Sequence, residues 1–270
     1  MAVLQSSKYE GSKPQTMEEY MPWFESEFKC NLRDYANYYD IATSHLKHKL
    51  EISQFWQSLG KELPNINDRY KMQKGCPLMA RTEAPDILIK SLESLTLKSF
   101  RKNVLNNPSF PEPPSVSGWI YQDNWFTSIH DILRTTIVVK YLDGVEFLLD
   151  ELKTLAEQKG CRFDYSLEAR EEGYYAAHGA LSLTLDVIDQ KFYPNPTEIE
   201  VEIQITTELQ EVIKTLLHKH YEENRKRIAP SNRKWQWDYN CDEFSSNYLG
   251  HIVHYVEGRI VAIRDKQANN

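Results

Sequence analysis

The chain has 270 residues. Of these 41% are hydrophobic, 26% charged and 12% aromatic, and 32 Lys and Arg stand against 39 Asp and Glu for a net charge of -7. That length supports one large domain or two small ones with a full buried core. A mean hydropathy of -0.60 argues against a membrane protein, and the acidity excludes a uniformly basic nucleic-acid coat while leaving room for a local basic patch.

Cys30, Cys76, Cys161 and Cys241 are widely spaced, with no CxxC pair. Neither a disulfide framework nor a cysteine zinc site is expected. No apolar run approaches ~18 residues, and the start lacks a basic-then-apolar leader pattern. No membrane contact is expected, and the cytoplasm is the expected location.

Residues 1–15 are polar and aperiodic and read as a flexible arm. Residues 17–59 read as helix, because Tyr35, Tyr39, Ala42, Leu46 and Leu50 recur at three- and four-residue steps. Ile52, Trp56 and Leu59 repeat those steps in a shifted phase, so the stripe widens or the helix bends. Residues 65–75 read as a linker. A second helix is expected over 85–104, with Pro85 in its first turn. The stretch NNPSFPEPPSVSG (106–118) is too rich in proline for a regular element.

The text then turns β-rich. RTTIVVKYL (134–142) is short and β-branched, hence a strand. Residues 145–158 form an amphipathic helix. CRFDYSLEA (161–169), GALSLTLDVI (179–188) and EIEVEIQIT (198–206) read as strands, 208–222 as helix and 243–265 as the last helix. The expectation is a mixed α/β chain with helical extensions at both ends. It divides into an arm (1–15), a helical extension (16–75), a core (76–225) and a basic loop with a C-terminal helix (226–270).

On the alternating strand, Glu198, Glu200, Glu202 and Gln204 share one face and Ile199, Val201, Ile203 and Ile205 the other. Neighbouring carboxylates ~7 Å apart repel by about 2 kcal/mol at an effective dielectric of ~20. Either water solvates this face, or a metal ion or several Lys and Arg neutralise it. Asp131, just before the first strand, is a turn cap or a Mg²⁺ ligand. Arg81, Lys90, Lys98, Arg101 and Lys102 form a basic stretch read as one helix, and Arg134 follows. Neither GxxxxGK[ST] nor GxGxxG occurs, so a bound triphosphate would take its positive charge from these side chains. In GYYAAH (173–178), Gly173 marks a turn and the tyrosines either pack on the core or offer a ring on which a base stacks.

In order and spacing these pieces resemble the RelA/SpoT-type synthetase family: Arg81, then the aspartate with I-V-V (131–139), G-Y-x-x-x-H (173–178), E-x-Q-I-x-T (202–207) and H-x-x-Y (218–221). The likeness covers roughly residues 78–225. It implies a nucleotidyltransferase-like mixed sheet of about five strands packed by helices. It implies transfer of pyrophosphate from ATP to a ribose 3′-hydroxyl, with Mg²⁺ as cofactor. Asp131 and Glu202 would be the catalytic and metal-binding carboxylates. Arg81, Lys90, Lys98, Arg101 and Arg134 would bind ATP, while Tyr174, His178 and Gln204 would hold the acceptor. The chain departs from the family's R-x-K pattern, with Glu83, Ile87 and Ser91 at its later places. Thr136 stands where the family often has an arginine.

The tail FSSNYLGHIVHYVEGRIVAIR (244–264) resembles toxic small alarmone synthetases, and the chain has no room for the hydrolase and regulatory domains of long members. That subgroup implies the 3′-CCA end of tRNA as acceptor, a toxin role and a protein antitoxin as partner. Arg225, Lys226, Arg227, Arg233 and Lys234, beside Trp235 and Trp237, are the candidate tRNA track, with Lys47 and Lys49 a second candidate. The alternatives are an alarmone synthetase acting on free GDP, GTP or adenine nucleotides, and a non-catalytic nucleotide-binding module. His251, His254 and Glu257, or His45 and His48, could suit zinc by spacing, but packing of the last helix accounts for the first group better.

Overall fold

A computed structural model of the chain describes residues 12–216 and 234–268. It is a mixed α/β fold with a five-stranded mixed sheet, as the sequence led us to expect.

The N-terminal helical text is three helices, α1 (Met17–Phe28), α2 (Leu32–Glu51) and α3 (Gln54–Lys74). Their breaks have local causes. Lys29 takes a left-handed conformation that ends α1, and the Asn31 carboxamide then accepts from the backbone N–H groups of Arg33 and Asp34, at 3.0 and 3.4 Å. Ser53 caps α3 by accepting from the Trp56 N–H. The helical reading of 17–59 holds with breaks after Phe28 and Glu51, and the expected linker over 65–75 is corrected to helix. Leu59, Leu63, Ile66 and Tyr70 are all buried and carry one apolar stripe through α3. Asn67, a loop-former by composition, turns its side chain out to accept from the Leu78 and Met79 N–H groups. Gly75 ends the helix at φ 72°.

The helix expected over 85–104 begins later. The chain runs extended through β1 (Leu88–Ile89), and the Lys90 N–H donates to the Ile132 carbonyl at 2.9 Å. Ser91 then caps α4 (Leu92–Phe100), which continues as a π-helical turn over Arg101–Leu105. The proline-rich stretch over 106–118 is irregular, as expected. It leads into the short α5 (Trp125–Ser128).

The remaining elements are β2 (Leu133–Val139), α6 (Asp143–Gln158), β3 (Arg162–Ala169), β4 (Tyr175–Ile188) and β5 (Pro194–Thr207). A helix described over 208–216 follows, here α7. After the described chain resumes, a 3-10 turn at Trp235–Trp237 precedes α8 (Asp242–Ala268). The strand order is β1-β2-β5-β4-β3. β3 and β4 pair antiparallel, from Arg162 opposite Ser182 to Ala169 opposite Tyr175. β4 starts four residues earlier than 179. Ala176, Ala177 and Gly179 are too small to show the two-residue period, yet the burial pattern alternates through them.

The residues fall into two compact units. The first holds residues up to His48, Ile89–Leu133 and Thr184–Glu200. Its core is aromatic: Tyr20, Trp23, Phe24, Phe28, Tyr35 and Trp125 are buried together. Phe24 stacks on Trp125 at 5.8 Å between centroids, and the Trp125 indole N–H donates to Ser99 Oγ at 2.9 Å. The second holds Lys49–Leu88, Arg134–Leu183 and Val201 onward. There α3 packs on α6 and α6 on β3.

α8 is fixed within the second unit at three places. The Tyr175 ring stacks on His254 at 3.7 Å and 5°, and its hydroxyl bonds His251 Nδ1 at 2.8 Å. Glu257 is buried and accepts from the Thr207 hydroxyl and from Gln210. Arg264 grips Asp143 through two N–H groups, at 3.2 and 2.7 Å, and also donates to the Tyr70 hydroxyl. These contacts employ His251, His254 and Glu257 in packing.

Gly250 lies so near the Gly173 turn that a Cβ on it would meet the Gly173 carbonyl oxygen at 2.2 Å. Backbone cannot retreat as a side chain can, so Gly250→Ala should lower stability by about 1–3 kcal/mol or more. Gly258, in the same helix, has open space, and Gly258→Ala should raise stability by about 0.5–1 kcal/mol. Urea midpoints at constant slope read both. Equal effects at the two positions would refute the tight approach.

Candidate active site

The outward face of β5 is the row of acids read from the sequence, with Ile199, Val201, Ile203 and Ile205 buried behind it. The two inner carboxylates are Glu200 and Glu202. Each accepts from a histidine: Glu200 from His130 Nδ1 at 2.7 Å in the first unit, and Glu202 from His178 Nδ1 at 2.7 Å in the second.

Around Glu202 the second unit assembles three other expected residues, Tyr174, His178 and Gln204, and three that the sequence did not reveal, Lys214, Arg170 and Glu168. His178 projects from β4, and Glu202 and Gln204 from β5. Tyr174 ends the turn that Gly173 makes possible at φ 74°. The Tyr174 hydroxyl lies 3.2 Å from His178 Nε2, and the Gln204 amide donates to that hydroxyl at 2.7 Å. Lys214 of α7 donates to Gln204 Oε1 at 3.2 Å. Arg170 sits over the Tyr174 ring, 5.2 Å from its centroid, and pairs with Glu168. Burial first, then the charges of Glu168 and Glu202, push the Tyr174 phenol up to about 12. It therefore keeps its proton at neutral pH.

The first unit holds the other carboxylate. Asp131 accepts from Lys90 at 2.9 Å and from Lys98 at 2.8 Å. Lys90 is only 6% exposed and its ion is placed by the backbone, since its own N–H pairs with Ile132 and its carbonyl accepts from the Tyr39 hydroxyl. Lys102, half-buried, donates to the Ser128 carbonyl at 3.4 Å. Burial first, then the charge of Lys98, lowers its pKa.

The basic residues expected on one helix do not share one. Lys98 lies on α4 and Arg101 and Lys102 on the π-helical turn, whereas Lys90 precedes the helix and Arg81 is exposed in coil of the second unit. Arg134 is exposed on the outward side of β2. Arg225, Lys226, Arg227, Arg233 and the His218–Tyr221 motif lie outside the described residues, and Lys234 is exposed just before the 3-10 turn. Lys47 and Lys49 lie on α2.

Glu168, Arg170, His130 and Lys214 join these clusters without having been singled out. His130 and Glu168 could have been suspected, since one adjoins Asp131 and the other precedes the turn. Lys214 could not, because its contact depends on how α7 leaves β5.

Among the described residues no group of three or more His, Cys, Asp and Glu forms a protein-only metal site, and no helix is long and apolar enough to cross a membrane. Mg²⁺ needs only one or two carboxylates when phosphates supply the rest. The donor at Asp131 suits it. Burial raises this carboxyl, but hydrogen bonds and charge from Lys98 and Lys90 outweigh burial and hold it at about 2.

That pairing has a measurable consequence. A folded pKa of about 2 lies below the usual aspartate value, so the stabilisation is complete above about pH 4 and is lost as pH falls toward 2. Over that window the wild-type chain should lose about 2 kcal/mol that Asp131→Asn does not lose. Urea unfolding at stepped pH reads the difference, and parallel curves would refute the pairing.

No family model matches the chain and no curated protein matches it in sequence. Solved structures do. Small alarmone synthetase 1 from Bacillus subtilis is 16% identical, with a TM-score of 0.53 over 88% of this chain and 98% of that one. The same enzyme bound to its product pppGpp is 17% identical, at 0.53 over 88% and 98%. Small alarmone synthetase 2 from Bacillus subtilis is 17% identical, at 0.50 over 86% and 99%. The chain has the fold of the small alarmone synthetases.

Proposed function

We propose that this chain transfers pyrophosphate from ATP to the 3′-hydroxyl of a purine nucleotide. The observation that carries the reading is Glu202, a carboxylate held by His178 beside the Tyr174 ring on the β4–β5 face. A ribose hydroxyl is a poor nucleophile and needs a base within hydrogen-bond reach. In the proposed step the 3′-oxygen bonds to the β-phosphorus of ATP. The bond to the α–β bridging oxygen breaks, AMP leaves, and the hydroxyl proton passes to Glu202. Tyr174, with Arg170 against its ring, is the surface on which the acceptor base stacks, and His178 and Gln204 hold Tyr174 and Glu202 in place. Lys98, Arg101, Arg81 and Arg134 supply positive charge for the triphosphate, with Lys90 acting through Asp131. Asp131 would hold Mg²⁺, which would supply further positive charge against the developing negative charge of the triphosphate.

The neighbour bound to pppGpp supports a free guanine nucleotide as acceptor. A second reading, the 3′ end of tRNA with a toxin role and an antitoxin, is favoured by the five Lys and Arg between positions 225 and 234.

Incubation with γ-labelled ATP and, in turn, GDP, GTP, adenine nucleotides and total tRNA tests both. Label should move to a free nucleotide with release of AMP, and Glu202→Gln should cut the rate by about 10²–10⁴-fold with circular dichroism unchanged. Label on RNA alone would replace the first reading with the second. Nucleotide binding without AMP release would overturn both in favour of a non-catalytic module.

A further inference from the structure

Five side chains of the second unit form one hydrogen-bonded series: Lys214, Gln204, Tyr174, His178 and Glu202. From it we infer that Lys214 is a positioning residue, which fixes through Gln204 and Tyr174 the nitrogen on which His178 carries its proton. The inference rests on the reading of Glu202 as the base for the acceptor hydroxyl only in its kinetic consequence.

The two ends of the series dictate its direction. An ammonium has three donors and no acceptor, so the Gln204 atom 3.2 Å from Lys214 Nζ is the amide oxygen. The amide NH₂ then faces Tyr174 and donates to its oxygen at 2.7 Å. The Tyr174 proton is left for His178 Nε2 at 3.2 Å, which accepts it, while the Glu168 carboxylate, 3.9 Å from that nitrogen, lies beyond hydrogen-bond reach. With Nε2 accepting, a neutral imidazole carries its proton on Nδ1 and donates it to Glu202 Oε1 at 2.7 Å. A carboxylate is acceptor-only, so the far end demands the same polarity as the near one.

Reversal fails at both ends. Turning the Gln204 amide over sets NH₂ against the Lys214 ammonium. It also lets the Tyr174 O–H point at Gln204 and draws the imidazole proton to Nε2, and an Nδ1 lone pair then faces the Glu202 carboxylate at hydrogen-bond distance. Lys214 thus adds its hold, from the near end, to that of Glu202 in keeping the His178 proton on Nδ1.

The test reads the proton directly. In protein labelled with ¹⁵N-histidine, two-bond ¹H–¹⁵N spectra distinguish a protonated from an unprotonated ring nitrogen, and the His178 signal is the one lost in His178→Gln. The wild-type ring should carry its proton on Nδ1. Lys214→Met should shift it to Nε2 or mix the two forms, and Lys214→Arg, also donor-only, should keep Nδ1–H. Lys214 is half-exposed on α7, with its side chain 39% accessible, so all variants should fold, which circular dichroism checks. In the transfer assay Lys214→Met should lower kcat about five- to tenfold, with the KM for ATP unchanged and activity restored in Lys214→Arg. A wild-type ring protonated on Nε2 or on both nitrogens, or an Nδ1–H that persists in Lys214→Met, overturns the role of Lys214. The expected tautomer change in a protein that transfers nothing upholds that role and overturns the reading of the reaction instead.

Discussion

Glu200 and Glu202 stand two residues apart on one face of β5, and their repulsion has to be offset before the strand can lie where its apolar face requires. Val201, Ile203 and Ile205 are essentially inaccessible to water, so the register cannot slip by one residue without burying the acids. Each carboxylate accepts a hydrogen bond from an imidazole. Everything in the candidate site follows from that arrangement. His178 reaches Glu202 from β4, the strand beside β5. The turn before β4 then delivers Tyr174 to the other ring nitrogen, and Gln204, two residues along, meets the same hydroxyl.

The alternation of β5 was legible because its residues are large and of opposite character. So were β2, β3 and α6. What escaped were features whose signal is small or shared. Residues 65–75 carry the asparagines and lysines of a loop, yet Ile66 and Tyr70 continue the stripe of α3. Residues 85–90 are extended because Lys90 pairs with a backbone forty residues on, which no local pattern encodes. Asp131, Tyr174, His178, Glu202 and Gln204, the residues of the proposed site, stand out in the sequence by motif order. Their partners do not: Lys90 and Lys98 converge on Asp131 only because α4 and the edge before β2 are packed together within the first unit.

That convergence differs in kind from the site on β4 and β5. A buried ammonium without its carboxylate would be costly, so Lys90 and Asp131 are bound to each other before any ligand arrives. Lys98 is the more exposed of the two partners, and Lys90 the buried one. The Glu202 series is polar throughout, with a lysine at its outer end, and is organised by direction of donation.

The contact of α8 with the Gly173 turn joins residues far apart along the chain: the Tyr175–His251 bond spans 76 positions. During synthesis the turn bearing Tyr174 emerges long before the helix that backs it. The β3–β4 hairpin can pair as soon as it appears, because its contacts are local, whereas the backing must await a distant segment and the loop-closure entropy that this entails. The turn beside Glu202 therefore gains its backing only after α8 has been synthesised.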